Sequence, residues 1–137
     1  MATLIQELCH LLKPISGIRV DYQPDEMLVT LPTAGGRRQA VKVWTEKCRH
    51  DDYHLVRLRS RATAAKDHRM IIAILNTNAN LELGGLGLDL STNPPAVDVL
   101  YSCVGDQILF TDFLTALQRI AAFADSIEQR TNGSDNF

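Results

Sequence analysis

The sequence has no unbroken apolar run near the roughly 20 residues that a membrane helix requires, which sets aside a helix-spanning membrane protein. It has only three cysteines, Cys9, Cys48 and Cys103, odd in number and far apart, so no disulfide framework is expected. They read as reduced thiols. Aromatic residues make up only 6% of the chain, and in the basic central region Trp44 and Tyr53 alone are able to stack on bases. No serine lies in a nucleophile-elbow pattern, and the carboxylates are scattered among turns and polar faces. We therefore expect a protein that is not an enzyme and holds no cofactor or metal. The opening "MATLIQELCHLLKP" lacks a basic start and a small-residue cleavage site, so it makes a poor signal peptide. A soluble, cytoplasmic location away from membranes is the expectation.

What is present suits one domain. A chain of 137 residues, 45% hydrophobic and 22% charged, is long enough for one sizeable core and too short for two. We expect a single domain over residues 1–130 and a flexible tail at 131–137, where "TNGSDNF" has no periodicity. The net charge of −2 hides an asymmetry: residues 37–69 hold ten of the fourteen Lys and Arg against four acids. Such a block can mark an anion-facing surface.

Hydrophobic spacing supplies the elements. Leu4, Ile5, Leu8, Leu11 and Leu12 recur at helical spacing until Pro14, predicting a helix over 2–13. "GIRVDY" alternates Ile18, Val20 and Tyr22 against Arg19 and Asp21, and "MLVTL" follows the "QPDE" turn as a second strand. "QAVKVWTEK" alternates Val41 and Val43 against Lys42 and Trp44, and "YHLVRLRSR" gives a fourth strand with a basic outer face. From Ala62 to about Asn78, the residues Ala64, His68, Ile71, Ile72 and Leu75 lie at helical spacing, with Ser60 or Thr63 as cap. Two more alternating strands, around Leu86 to Leu90 and Val97 to Cys103, form a hairpin. Phe110, Phe113, Leu114, Leu117, Ile120, Ala121, Ala124 and Ile127 then stripe a long last helix, with Thr111 as its N-cap. The expected class is α+β, an antiparallel sheet with helices packed on it, in the order α-β-β-β-β-α-β-β-α.

The glycines of "LNTNANLELGGLGLDL" follow a helix and precede a strand. A phosphate-gripping loop needs the opposite order, because free N–H groups sit at a helix N-terminus, and no Lys-Ser/Thr pair follows here. Gly84 and Gly85 therefore read as a tight connection, with Asn78 or Asn80 in a left-handed conformation at the helix end. In "CRHDDYH", the residues Cys48, His50, Asp51, Asp52 and His54 match no closed zinc spacing and read as a polar hairpin turn. Cys9 and His10 are adjacent on a helix and point about 100° apart, which suits no nucleophile and base. Cys103 and His68 read as a buried thiol and a core histidine.

Two surfaces remain as candidates. Arg57, Arg59 and Arg61 project from one strand face, with Arg37, Arg38 and Lys42 on a nearby hairpin, a set able to contact phosphates unless acids from elsewhere neutralise it. On the last helix, Phe123 sits beside Ala116, Ile120 and Ile127, either as a dimer or partner patch or as a widening of the stripe that faces the sheet. Trp44 carries the same two readings.

The order of elements and the junction "LNTNAN", a Gly-containing turn and "LGLDL" resemble the type III secretion chaperone-like fold, which includes the CesT-type secretion chaperones and the YbjN-type proteins. The resemblance spans residues 2–130. It implies a small non-enzymatic protein, often a homodimer, that uses sheet and helix surfaces to hold a protein or peptide. The mild acidity and basic central strands depart from the secretion chaperones, which favours a general interaction module, chaperone-like or regulatory. Nucleic-acid or other anion binding by residues 37–69 is the alternative.

Overall fold

Thr3 starts the first helix by a reciprocal pair of hydrogen bonds. Its hydroxyl accepts from the Gln6 N–H at 3.1 Å, and the Gln6 side chain accepts from the Thr3 N–H at 2.7 Å. The computed structural model, which describes residues 3–48, 52–78, 81 and 83–132, then runs α1 (Leu4–Leu12), β1 (Arg19–Gln23), β2 (Glu26–Pro32), β3 (Arg38–Lys47), β4 (His54–Ala64), α2 (His68–Asn78), β5 (Gly85–Asp89), β6 (Ala96–Val104) and α3 (Phe110–Asn132). This is the expected α+β order.

All six strands pair antiparallel in the order β1-β2-β3-β4-β6-β5. The first four form a meander, because the turns between them are short. The hairpin of β5 and β6 docks with its second strand inward, beside β4, which leaves β1 and β5 as the sheet edges. Alternation along each strand sends Met27, Val29, Leu31, Val41, Val43, Val56, Leu58, Val97 and Val99 to one inner face. There they meet Ile5, Leu8 and Leu12 of α1 and the stripe of α3 in one core. Full burial of an aliphatic or Phe side chain is worth about 1.5–3 kcal/mol, so this contact outweighs helix propensity in holding α3.

The boundaries of α2 and α3 differ from the spacing argument, and α1 is shorter than the expected 2–13. α2 begins at His68, six residues late, because Ala62–Ala64 continue β4 past a bulge and pair Thr63 with Val97 and Ala64 with Ala96. A neighbouring strand satisfies that backbone, so local helical spacing loses. The N–H of Met70 donates to Asp67 Oδ1 at 3.0 Å, so the cap is Asp67, while Ser60 is buried and donates to the Ala40 carbonyl at 2.8 Å. The residues of α2 that enter the core are Met70 and Ile74, and His68 is exposed, not a core histidine. α3 begins one residue before Thr111 and continues past Arg130 to Asn132, with the Thr131 hydroxyl bonded to Thr63 Oγ1 at 3.1 Å. The rest of the expected tail, 133–137, lies outside the described residues. No described helix is long and apolar enough to cross a membrane.

Candidate interaction surfaces

The glycine junction is a structural device. Gly84 has φ +74°, and a Cβ there would collide with the carbonyl oxygen of Leu100 on β6, so only glycine lets the chain turn that close to the sheet. Among the described residues every positive φ belongs to glycine, so Asn78 is not left-handed, and Asn80 lies outside the described residues. Asn78 acts through its side chain instead. Its Oδ1 accepts from the Leu86 N–H at 2.8 Å and its Nδ2 donates to the Leu86 carbonyl at 3.4 Å, as a neighbouring strand would. The β5 edge is thereby closed near its start, at Leu86.

The outer face of the sheet carries the basic block. Arg57, Arg59 and Arg61 of β4 stand beside Lys42 and Trp44 of β3, since Lys42 pairs with Arg59 and Trp44 with Arg57 across the strands. Each cation has a carboxylate in reach: Lys42 meets Glu26 at 3.0 Å, Arg57 meets Glu46 at 3.3 Å, and Arg59 stands 4.0 Å from Asp98. Arg61 Nε donates to Asp98 at 3.0 Å, and its Nη2 pairs with Asp89. Four bases thus face four acids. Trp44 is half-buried, donates its Nε1–H to Glu46 at 2.9 Å, and lies beneath Lys42 and Arg59, whose charges sit 5.2 and 5.8 Å from the ring centroid. It is a shelf for cations more than an apolar anchor. Arg37 is not on this face: it grips the buried Asp125 of α3 through contacts of 2.9–3.2 Å, which push its pKa up. Arg38 donates to the Gly17 carbonyl at 2.8 Å.

The acids Asp98 and Asp89 were the part of this face that spacing did not reveal. Asp98 is 3% exposed, yet in "AVDVLY" it reads as one more polar residue of an alternating strand. Its pairing with Arg61 depends on β6 lying beside β4. Asp89 is held at a pKa of about 2, below the ordinary 3.8, first by the Ser91 hydroxyl and N–H that donate to it and less by Arg61. A depressed folded pKa means that the charged form favours the fold, so this contribution is complete above about pH 4 and is lost as pH falls through about 2. In an NMR titration the Asp89 carboxyl carbon should show a midpoint near 2, and Ser91→Ala should raise it toward 3.8. An unmoved midpoint would assign the shift to the two donors the variant keeps, the residue-91 N–H and Arg61.

The proposed patch on α3 is mostly internal. Ala116, Ile120 and Ile127 are each no more than 2% exposed, and Phe123 is half-buried against the same core, so the stripe-widening reading accounts for all four. The exposed apolar ridge is on α2. Ile72 and Leu75 are 64% and 65% exposed and stand three residues apart, one turn above the other. A signal existed for this: apolar residues at 70, 71, 72, 74 and 75 wrap more of a helix than one buried face accommodates.

The other candidate chemistry does not assemble. No group of His, Cys, Asp or Glu able to hold a metal occurs among the described residues, and of the "CRHDDYH" turn residues 49–51 lie outside them. The Cys48 N–H donates to the Tyr53 carbonyl at 3.0 Å, closing the hairpin. Cys9 is buried while His10 is exposed, and Cys103 is half-buried with its thiol pKa pushed up by burial. A cleft of about 250 Å³ lies between the end of β6 and the start of α3, and one of about 170 Å³ lies between α1 and Tyr22. Both fall short of the roughly 300–1,000 Å³ usual for small-molecule sites. The chain matches no protein-family model, no curated protein and no solved structure.

Proposed function

We propose that the protein is a non-enzymatic module that binds a protein or peptide and acts as a homodimer in the cytoplasm, in the manner of the type III secretion chaperone-like proteins it resembles. The observation that carries this reading is the solvent-facing pair Ile72 and Leu75, an apolar ridge on a helix whose opposite side already holds Met70 and Ile74 in the core. A ridge of this kind suits a complementary apolar strip on another polypeptide. The balance of acids and bases on the outer sheet face counts against the phosphate-binding alternative, because counterion release requires cations that are not already neutralised.

Light scattering should give twice the chain mass, and immobilised protein should retain a defined polypeptide from cytosol at moderate salt. Ile72→Lys/Leu75→Lys should abolish that retention while the far-ultraviolet circular dichroism stays unchanged. A strict monomer that retains no polypeptide would overturn the proposal. Retention of nucleic acid alone, lost as salt rises, would move the function to the basic face.

A further inference from the structure

The two edges of the sheet are treated differently. At the β5 edge, Asn78 occupies the N–H and carbonyl of Leu86, and α2 packs alongside. At the β1 edge, no described strand lies beyond Arg19–Gln23, so one row of backbone donors and acceptors stays open. Open edges are templates for another strand. The short strand carries charges that ordinarily discourage such pairing, and their arrangement decides what can still dock.

Residues 18–22 read Ile-Arg-Val-Asp-Tyr, which is self-complementary about Val20. If two copies pair antiparallel around a two-fold axis through Val20, Ile18 faces Tyr22 of the second copy, Val20 faces Val20, and Arg19 faces Asp21 twice. Every pair is apolar with apolar or cation with anion. In β1, Arg19 pairs with Thr30 and Asp21 with Leu28, so both lie on the outer sheet face, whereas Val20 and Tyr22 lie on the inner face. Residues directly opposed in an antiparallel pair share a face, so the proposed pairs match on this count too. Side chains keep to their face only when the register moves by two, and each neighbouring symmetric register fails: centring on Arg19 opposes two arginines, and centring on Asp21 opposes two aspartates. The side chains needed are available, since Arg19 and Asp21 are 73% and 52% exposed and meet each other only at 3.4 Å. Tyr22 is exposed beside the cleft of about 170 Å³ under α1, so its ring is open to the flank of the second copy's Ile18, which is half-buried against its own core.

We infer that the β1 edge is the self-association surface, occupied by the β1 strand of a second copy in the register centred on Val20, so that the two sheets become one continuous sheet. The inference rests on the homodimer reading above and adds its surface. It leaves the α2 ridge, at the far end of each sheet, open for another polypeptide.

Sedimentation velocity over a concentration series tests it, with circular dichroism as the folding control. Asp21→Arg turns both symmetric pairs from attractive to repulsive and should raise the dimer dissociation constant about thirtyfold. The double variant Arg19→Asp/Asp21→Arg swaps the charges, keeps the strand self-complementary, and should return the constant to within about threefold of the starting protein. A dimer insensitive to Asp21→Arg would overturn this edge and keep the homodimer, and one weakened by Asp21→Arg but not restored by the swap would overturn the register. A starting protein that stays monomeric throughout would overturn both readings.

Discussion

Ile120→Ala is expected to lower the unfolding free energy by about 3 kcal/mol, within the range for removing most of a buried aliphatic side chain. Ile120 is 1% exposed and sits mid-stripe on α3, with Leu117, Ala121 and Ala124 as buried neighbours on the same helix face. The vacated space faces a sheet whose strands are fixed by their ladders, so the surroundings have little freedom to collapse into it. Urea unfolding should show the loss as a lower midpoint with an unchanged slope. A variant that kept its midpoint and lost only self-association would instead place Ile120 at a subunit contact.

The second large effect belongs to Gly84→Ala, expected to destabilise by roughly 3 kcal/mol through two additive causes. A φ of +74° is strained for any residue with a Cβ, and that Cβ would strike the Leu100 carbonyl and lie 3.3 Å from Ile120 Cδ1. The causes can be separated. Gly36 has φ +75° with nothing within 4 Å of a built Cβ, so Gly36→Ala should lose only about 1 kcal/mol, the backbone part. Trimming the side chain by Ile120→Val should not rescue Gly84→Ala, because the Leu100 carbonyl belongs to a paired strand and cannot retreat. Equal losses at Gly36 and Gly84 would show that the collision is relieved by a local shift.

The glycine result answers whether this loop grips phosphate, and it shows how far spacing reaches. That the glycines join a helix to a strand, the wrong end for an anion, follows from chain order alone. That Asn78 closes the β5 edge does not, because its amide meets Leu86 only after the turn at Gly84 has been made.

Periodicity decided the identity and order of all nine elements, since alternation and helical spacing are local properties that a neighbour can strengthen but seldom reverse. The exception lies where both patterns fit: Ala62–Ala64 went to β4 because β6 offered a ladder there. The basic face shows the same division of labour. Arg57, Arg59 and Arg61 share a face by a period of two, which is legible along the chain. Whether that face is a cation surface or a neutral one depends on Asp98 and Asp89, which lie 37 and 28 residues from Arg61 along the chain and reach it only through the docking of the β5 and β6 hairpin. Burial divides in the same way: the stripe of α3 was plain from spacing, but the side of α2 left facing solvent, with Ile72 and Leu75 on it, was set by how that helix packs on β5. Local chemistry specifies what each segment is, and long-range pairing specifies which of its groups remain available to a partner.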